Sequence, residues 1–144
     1  MKKNKACRGA TLVELSVTIA ILGIMAAMVI PKFADQIRRS AEGSTKGALA
    51  TLRSSLLIYF ADNIGVDAST LTALVPKYIS EIPTAKIGTY HPNSNNSVND
   101  YWLSHIGTLG PSVDAGGWYY GTPDGTILVN CIHTDIKGVI ITLW

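Results

Sequence analysis

The chain has 144 residues, enough for about one domain. It is 47% hydrophobic and only 15% charged, which excludes an intrinsically disordered chain. The net charge of +2 hides an asymmetry: Lys2, Lys3, Lys5 and Arg8 crowd the start, and the remainder holds 8 basic against 10 acidic residues, so no nucleic-acid surface is expected.

From Ala10 to Ile30 the sequence carries a single charge, Glu14. As a helix this stretch reaches about 31 Å, matching a hydrocarbon core of about 30 Å. The basic start fits retention on the cytoplasmic side of such a span. A secretory signal peptide would end in a small-residue cleavage site, whereas here the run continues through AAMVIPKFADQIRRS. A plain signal-anchor explains the charges and the run but leaves Glu14 unexplained. An acid at the centre of a span costs about 2.5–3.5 kcal/mol, less near the interface, and needs a partner. Cys7 and Cys131 fall on opposite sides of such a span and are not expected to pair. Lipoprotein processing would need a cysteine after the apolar run.

Arg8-Gly9-Ala10-Thr11-Leu12-Val13-Glu14-Leu15 resembles the processing motif of type IV pilins and the related pseudopilins of type II secretion. The resemblance implies cleavage between Gly9 and Ala10 by a prepilin peptidase, followed by methylation of the new amino terminus on Ala10. Glu14 becomes the fifth residue of the mature chain, where the family's glutamate pairs with the terminal amine of a neighbouring subunit. Pro31 falls where the family also tends to carry proline. The sequence departs from the family at Ala10, which is usually phenylalanine. The physics agrees with this pairing. A free amine beside the positive end of a helix dipole needs an anion in an apolar setting, and an axially shifted neighbour can supply it.

The resemblance implies a division into a leader peptide over 1–9, a transmembrane and filament-core helix over 10–31, and residues 32–144 as the amphipathic half of the helix plus a periplasmic or extracellular head. The expected fold class is α+β and pilin-like, with a long helix over about 10–62 packed on a small antiparallel sheet. Pro31 removes one backbone hydrogen bond, so a kink or local melting is expected there. Beyond it, Phe33, Ile37, Ala41, Ala48, Leu52, Leu56 and Phe60 recur near helical spacing and predict the buried face. Gly43 and Gly47, four apart, are read as a local packing device. Gly65 reads as the helix's carboxyl-terminal cap.

A short helical pattern follows over Ser69 to Leu74. The polar stretch from Thr84 to Asp100 reads as an exposed loop. GWYY, GTPDG and TILVN predict a hairpin, with Thr-Pro-Asp-Gly as its turn. Trp118, Tyr119 and Tyr120 are expected to divide between core and surface. Gly138 to Trp144 reads as a third strand.

Signatures of catalysis are missing: there is no phosphate loop and no nucleophile elbow, so no enzyme is expected. His91, His105 and His133 are too widely spaced in sequence for a local metal motif, and Cys131-Ile132-His133 is too short to count as one. No metal ligands and no cofactor are assigned. Some type II secretion relatives bind calcium in a carboxyl-terminal loop; no such motif maps onto Asp114, Asp124 or Asp135, and calcium stays as the minor alternative to no cofactor.

The expected function is a structural prepilin of a type IV pilus-like filament, inserted as a single-pass protein in the bacterial inner membrane. The implied partners are other copies of itself and other pilin-like subunits, the peptidase, an assembly ATPase and its inner-membrane platform. A pseudopilin of type II secretion is the near alternative. The device by which many pilins close a loop, a disulfide, is absent, since only Cys131 would remain after processing, and the major pseudopilin's proline-tryptophan-glycine segment is absent too. The rival of another class is a membrane-anchored binding module with residues 66–144 as its ligand domain.

Overall fold

The computed structural model describes residues 10–88, 90–100, 114–122 and 124–144. The leader with Gly9 and Cys7, the segment containing His105, and Pro123 of the turn lie outside them. One long helix, α1 (Leu12–Asp62), is followed by a 3-10 turn at Leu71–Leu74, strands β1 (Ser97–Asp100), β2 (Trp118–Gly121) and β3 (Thr126–Val129), and a last 3-10 turn at Ile141–Leu143. The chain divides into two compact units, one ending at Ile37 and the other running from Arg38 to Trp144.

In the first unit the apolar side chains from Leu12 to Ile37 are exposed. Ser16 and Thr18 donate their hydroxyl protons to the carbonyls of Val13 and Leu15, each at 2.8 Å, so neither hydroxyl needs an outside partner. The helix is unbroken across Pro31, so the expected local melting does not occur. Proline deprives the Ala27 carbonyl of one donor, and the flanking turns remain bonded.

In the second unit α1 buries Glu42, Thr45, Leu49, Leu52 and Leu56, spaced alternately by three and four residues. Each leucine contributes about 1.5–3 kcal/mol of transfer free energy. This face corrects the predicted one: Leu52 and Leu56 belong to it, while Phe33, Ile37 and Phe60 are exposed and Leu49 was missed. The polar members of the face are satisfied. Thr45 Oγ1 accepts the Lys86 N–H at 2.8 Å, and the Glu42 carboxylate accepts the Ile136 N–H at 3.1 Å. A Cβ added at Gly43 or Gly47 would meet nothing within 4 Å, so the packing role expected of this pair is not found within the chain.

The helix ends in a Schellman arrangement, with the Gly65 N–H bonded to the Phe60 carbonyl at 2.9 Å. The left-handed residue preceding that donor is Ile64, at φ 55°, rather than a glycine. Gly65, expected to be the cap, is the following residue and also has positive φ, at 83°.

The sheet order is β1-β2-β3. β2 and β3 form the predicted antiparallel hairpin, with Gly121 opposite Thr126. Gly125 in its turn has φ 62°, and a Cβ there would come within 2.7 Å of Asp67 Oδ1. β1 pairs with β2 in parallel, so the sheet is mixed and not purely antiparallel. Its third strand comes from the polar stretch that read as a loop, not from Gly138 to Trp144. Within that stretch Ala85 and Ile87 are buried, and Ala85 exchanges backbone bonds with Ser94. Polar side chains concealed the pairing because ladder bonds depend only on the backbone.

The final segment fails to form a strand for an identifiable reason. Asp135 is buried, and its Oδ1 accepts the amide hydrogens of Lys137 (2.8 Å) and Val139 (2.9 Å). That side chain turns the backbone into a tight reversal closed by a Thr134–Ile140 bridge. Burial opposes the charge on Asp135. The Val139 and Lys137 amides, with Lys46 and the Trp144 indole, outweigh it and hold the carboxyl below the usual aspartate range.

Trp118 and Tyr120 join α1, Leu71, Leu74, Ala85, Ile87, Ile127, Val129, Cys131 and Ile141 in one core. The Trp118 indole N–H donates to the Pro83 carbonyl and the Tyr120 hydroxyl to the Ala68 carbonyl, both at 2.7 Å. Tyr119 is buried as well, outside that core. The three aromatics therefore do not divide between core and surface, because β2 is the central strand and is covered on both faces.

Candidate functional site

The amino-terminal part of α1 has the chemistry of an assembly surface. By length and composition this helix can cross a membrane: its most apolar window has a mean hydropathy of 2.3 and is not buried within the chain. Ala10 lies just outside the helix and is exposed. Gly9, the other half of the expected cleavage site, lies outside the described residues.

Glu14 sits in the first turn. Its Oε2 accepts the Thr11 backbone N–H at 2.8 Å and the Thr11 hydroxyl at 3.0 Å, while the Glu14 N–H donates to Thr11 Oγ1 at 3.2 Å. This is a capping box, with Thr11 as N-cap and Glu14 three residues on. The Thr-x-x-Glu spacing of this box is already present in the sequence. Among the described residues, no hydrogen bond engages Oε1. The carboxylate therefore serves its own helix through one oxygen and keeps the other available for a cation.

The structure also brings together residues that are far apart in the sequence. His91, Asp114, Cys131 and His133 converge, each presenting a donor atom within 4.8 Å of the others. His91 Nε2 lies 2.9 Å from Asp114 Oδ1, His133 Nδ1 lies 3.2 Å from Asp114 Oδ2, and Cys131 Sγ lies 3.6 Å from His133 Nδ1. The Ile132 N–H donates to Asp114 Oδ1 at 3.1 Å. The Tyr90 ring stacks on His133, with centroids 4.2 Å apart and planes 13° apart. Cys131 is fully buried, and burial pushes its thiol up from the ordinary range. Sequence spacing hid this cluster because its members come from before β1, before β2 and after β3. Only the Cys-x-His pair was local.

A family model described as the prokaryotic N-terminal methylation motif matches residues 4–30. The chain is 32% identical to fimbrial protein Q of Moraxella bovis, over 95% of this chain and 78% of that protein. It is 30% identical to the type IV major pilin protein PilE of Neisseria gonorrhoeae, over 93% and 89% respectively. It is 28% identical to type II secretion system core protein G of Pectobacterium carotovorum, over 77% and 84%. No solved structure matches the chain significantly. With its exposed apolar helix and capped Glu14, the chain belongs to the family of type IV pilins and type II secretion pseudopilins, as a structural subunit carrying the amino-terminal methylation motif.

Proposed function

We propose that this protein is the precursor of a type IV pilus subunit, held in the bacterial inner membrane by α1. It is cleaved between Gly9 and Ala10, methylated on Ala10, and polymerised through its apolar helix. The observation that carries this reading is the unshielded apolar surface from Leu12 to Ile30 with Glu14 as its one charge. Such a surface is stable only in lipid or against like helices. Glu14 acts as the registry device. Its Oε1 receives the amine of Ala10 from an axially shifted copy, and a helix in any other register leaves both charges unpaired in an apolar setting. Pro31 lies in the same segment, and its missing N–H leaves a carbonyl that helix-to-helix packing must accommodate.

The partners on this reading are other copies of the chain and pilin-like subunits, a prepilin peptidase and methyltransferase, and an assembly ATPase with its membrane platform. Mass spectrometry of the protein from native membranes tests it. A chain beginning at methylated Ala10 is expected, and one retaining Lys2 to Arg8 would return the protein to a membrane-anchored binding module.

The likeness to a core protein G over most of both chains favours a second reading, a pseudopilin working in secretion. Sheared surface fibres containing this chain support the pilus. A secretion defect on deletion, without surface fibres, supports the pseudopilus.

A further inference from the structure

Three separate parts of the second unit bring together two imidazoles, a carboxylate and a thiol. This inference goes beyond the filament reading and does not depend on it. Imidazole–carboxylate pairs alone are ordinary hydrogen bonds and need no further account. Here one carboxylate bridges two imidazoles, and a buried sulfur closes the fourth corner. Tetrahedral zinc with bonds of about 2.0–2.3 Å places its ligand atoms roughly 3.3–3.8 Å apart. One atom from each of the four groups lies within 4.8 Å of the others, with Cys131 Sγ and His133 Nδ1 at 3.6 Å and the two imidazoles on different oxygens of Asp114, so a modest rotation of that carboxylate brings one oxygen to both.

The surroundings hold the four groups in place. The Ile132 amide fixes one Asp114 oxygen, and the Tyr90 ring fixes the plane of His133. Gly116, at φ 75°, lets the backbone pass so close to His91 that an added Cβ would lie 2.8 Å from the His91 Cβ. Outer-shell contacts of this kind orient metal ligands before the metal arrives. The His133 side chain is 38% exposed and that of His91 only 11%.

The geometry points to a site for a divalent transition metal of the zinc class, held by His91 Nε2, His133 Nδ1, Cys131 Sγ and one oxygen of Asp114. On binding, the metal–sulfur bond replaces the sulfur–hydrogen bond of Cys131, and that proton leaves to solvent. Two neutral imidazoles, one thiolate and one carboxylate then cancel the metal's two charges. No electron is transferred. Nitrogen and sulfur donors select zinc-like ions over calcium and magnesium, which prefer all-oxygen sets. Four protein ligands leave no open position, so the metal is structural. It clips the segment after β3 to the segments that precede β1 and β2.

The test uses the full chain in detergent, without a histidine tag and with Cys7→Ser so that Cys131 is the sole thiol. Co2+ is titrated first, then displaced by Zn2+. One equivalent is expected, with a thiolate-to-cobalt charge-transfer band and tetrahedral d–d bands that Zn2+ abolishes, and Zn2+ raises the melting temperature. His133→Gln and His91→Gln each weaken binding by about 10-fold or more, and Cys131→Ala removes the charge-transfer band. Circular dichroism establishes that each variant is folded. Should Cys131→Ala fail to fold, the partly exposed His133→Gln carries the comparison. Cobalt bound without a thiolate band, or the same affinity in both histidine variants as in the parent, overturns the proposal.

Discussion

Glu14 Oε2 accepts both the amide and the hydroxyl hydrogen of Thr11, so the acid at the head of the apolar helix is already engaged within its own chain. Capping and pairing with a second copy are therefore separable properties of one side chain, and substitutions can divide them. Glu14→Gln keeps a capping-box acceptor and loses the charge. Thr11→Ala keeps the charge and loses the cap, at a cost of about 1 kcal/mol to the helix. Glu14→Gln and Glu14→Leu are expected to insert into membranes but to co-assemble poorly with wild-type subunits, whereas Thr11→Ala co-assembles. Quantifying tagged variants in sheared filaments checks this. Equal incorporation of Glu14→Gln and wild type removes the registry role.

Ile64 occupies a left-handed position at the end of α1 with its side chain 96% exposed. A β-branched residue there carries strain of about 1–2 kcal/mol, with no packing to offset it. Ile64→Gly is expected to stabilise the second unit by about 1 kcal/mol, after allowance for glycine's greater freedom in the unfolded chain. Thermal melts of the detergent-solubilised protein read this as a rise of a few degrees, and no rise would mean that the helix end relaxes on its own.

Gly43 and Gly47 have open space where a Cβ would stand. Alanine at either position is expected to stabilise the isolated subunit by about 0.5–1 kcal/mol through helix propensity. Denaturant unfolding in detergent measures it. A loss of stability would reveal a close contact at these glycines.

The Tyr120 hydroxyl is buried against the Ala68 carbonyl, and burial, with smaller contributions from the charges of Asp67 and Tyr59, pushes it up to about 12. The neutral form is favoured in the fold, so its contribution is complete below pH 10, the unfolded value. It is lost as pH rises through about 12. Tyrosinate absorbance should therefore include a step near pH 12 that Tyr120→Phe removes. The same substitution leaves the Ala68 carbonyl unpaired and costs about 1–3 kcal/mol.

What the sequence disclosed and what it hid follow a physical division. The apolar run and the acid near its start were legible because span length and charge placement are properties of consecutive residues. The hairpin was legible for the same reason, since Thr122 to Gly125 carry their own turn chemistry. The parallel strand Ser97–Asp100 was not, because its partner lies far along the chain and its polar side chains carry no alternating pattern. The end of the chain misled because one buried carboxylate, Asp135, overrides the β-propensity of Val139, Ile140 and Ile141. His91, Asp114, Cys131 and His133 were present in the letters and became a cluster only through that long-range topology.

The hydroxyls of Ser16 and Thr18 are turned inward onto carbonyls of their own turn. In a fibre built as proposed, these two hydroxyls near the start of α1 then bring no donor to the contact between subunits. Dispersion forces tolerate sliding, since one aliphatic neighbour replaces another at nearly equal energy. Only the ends of the apolar stretch impose register.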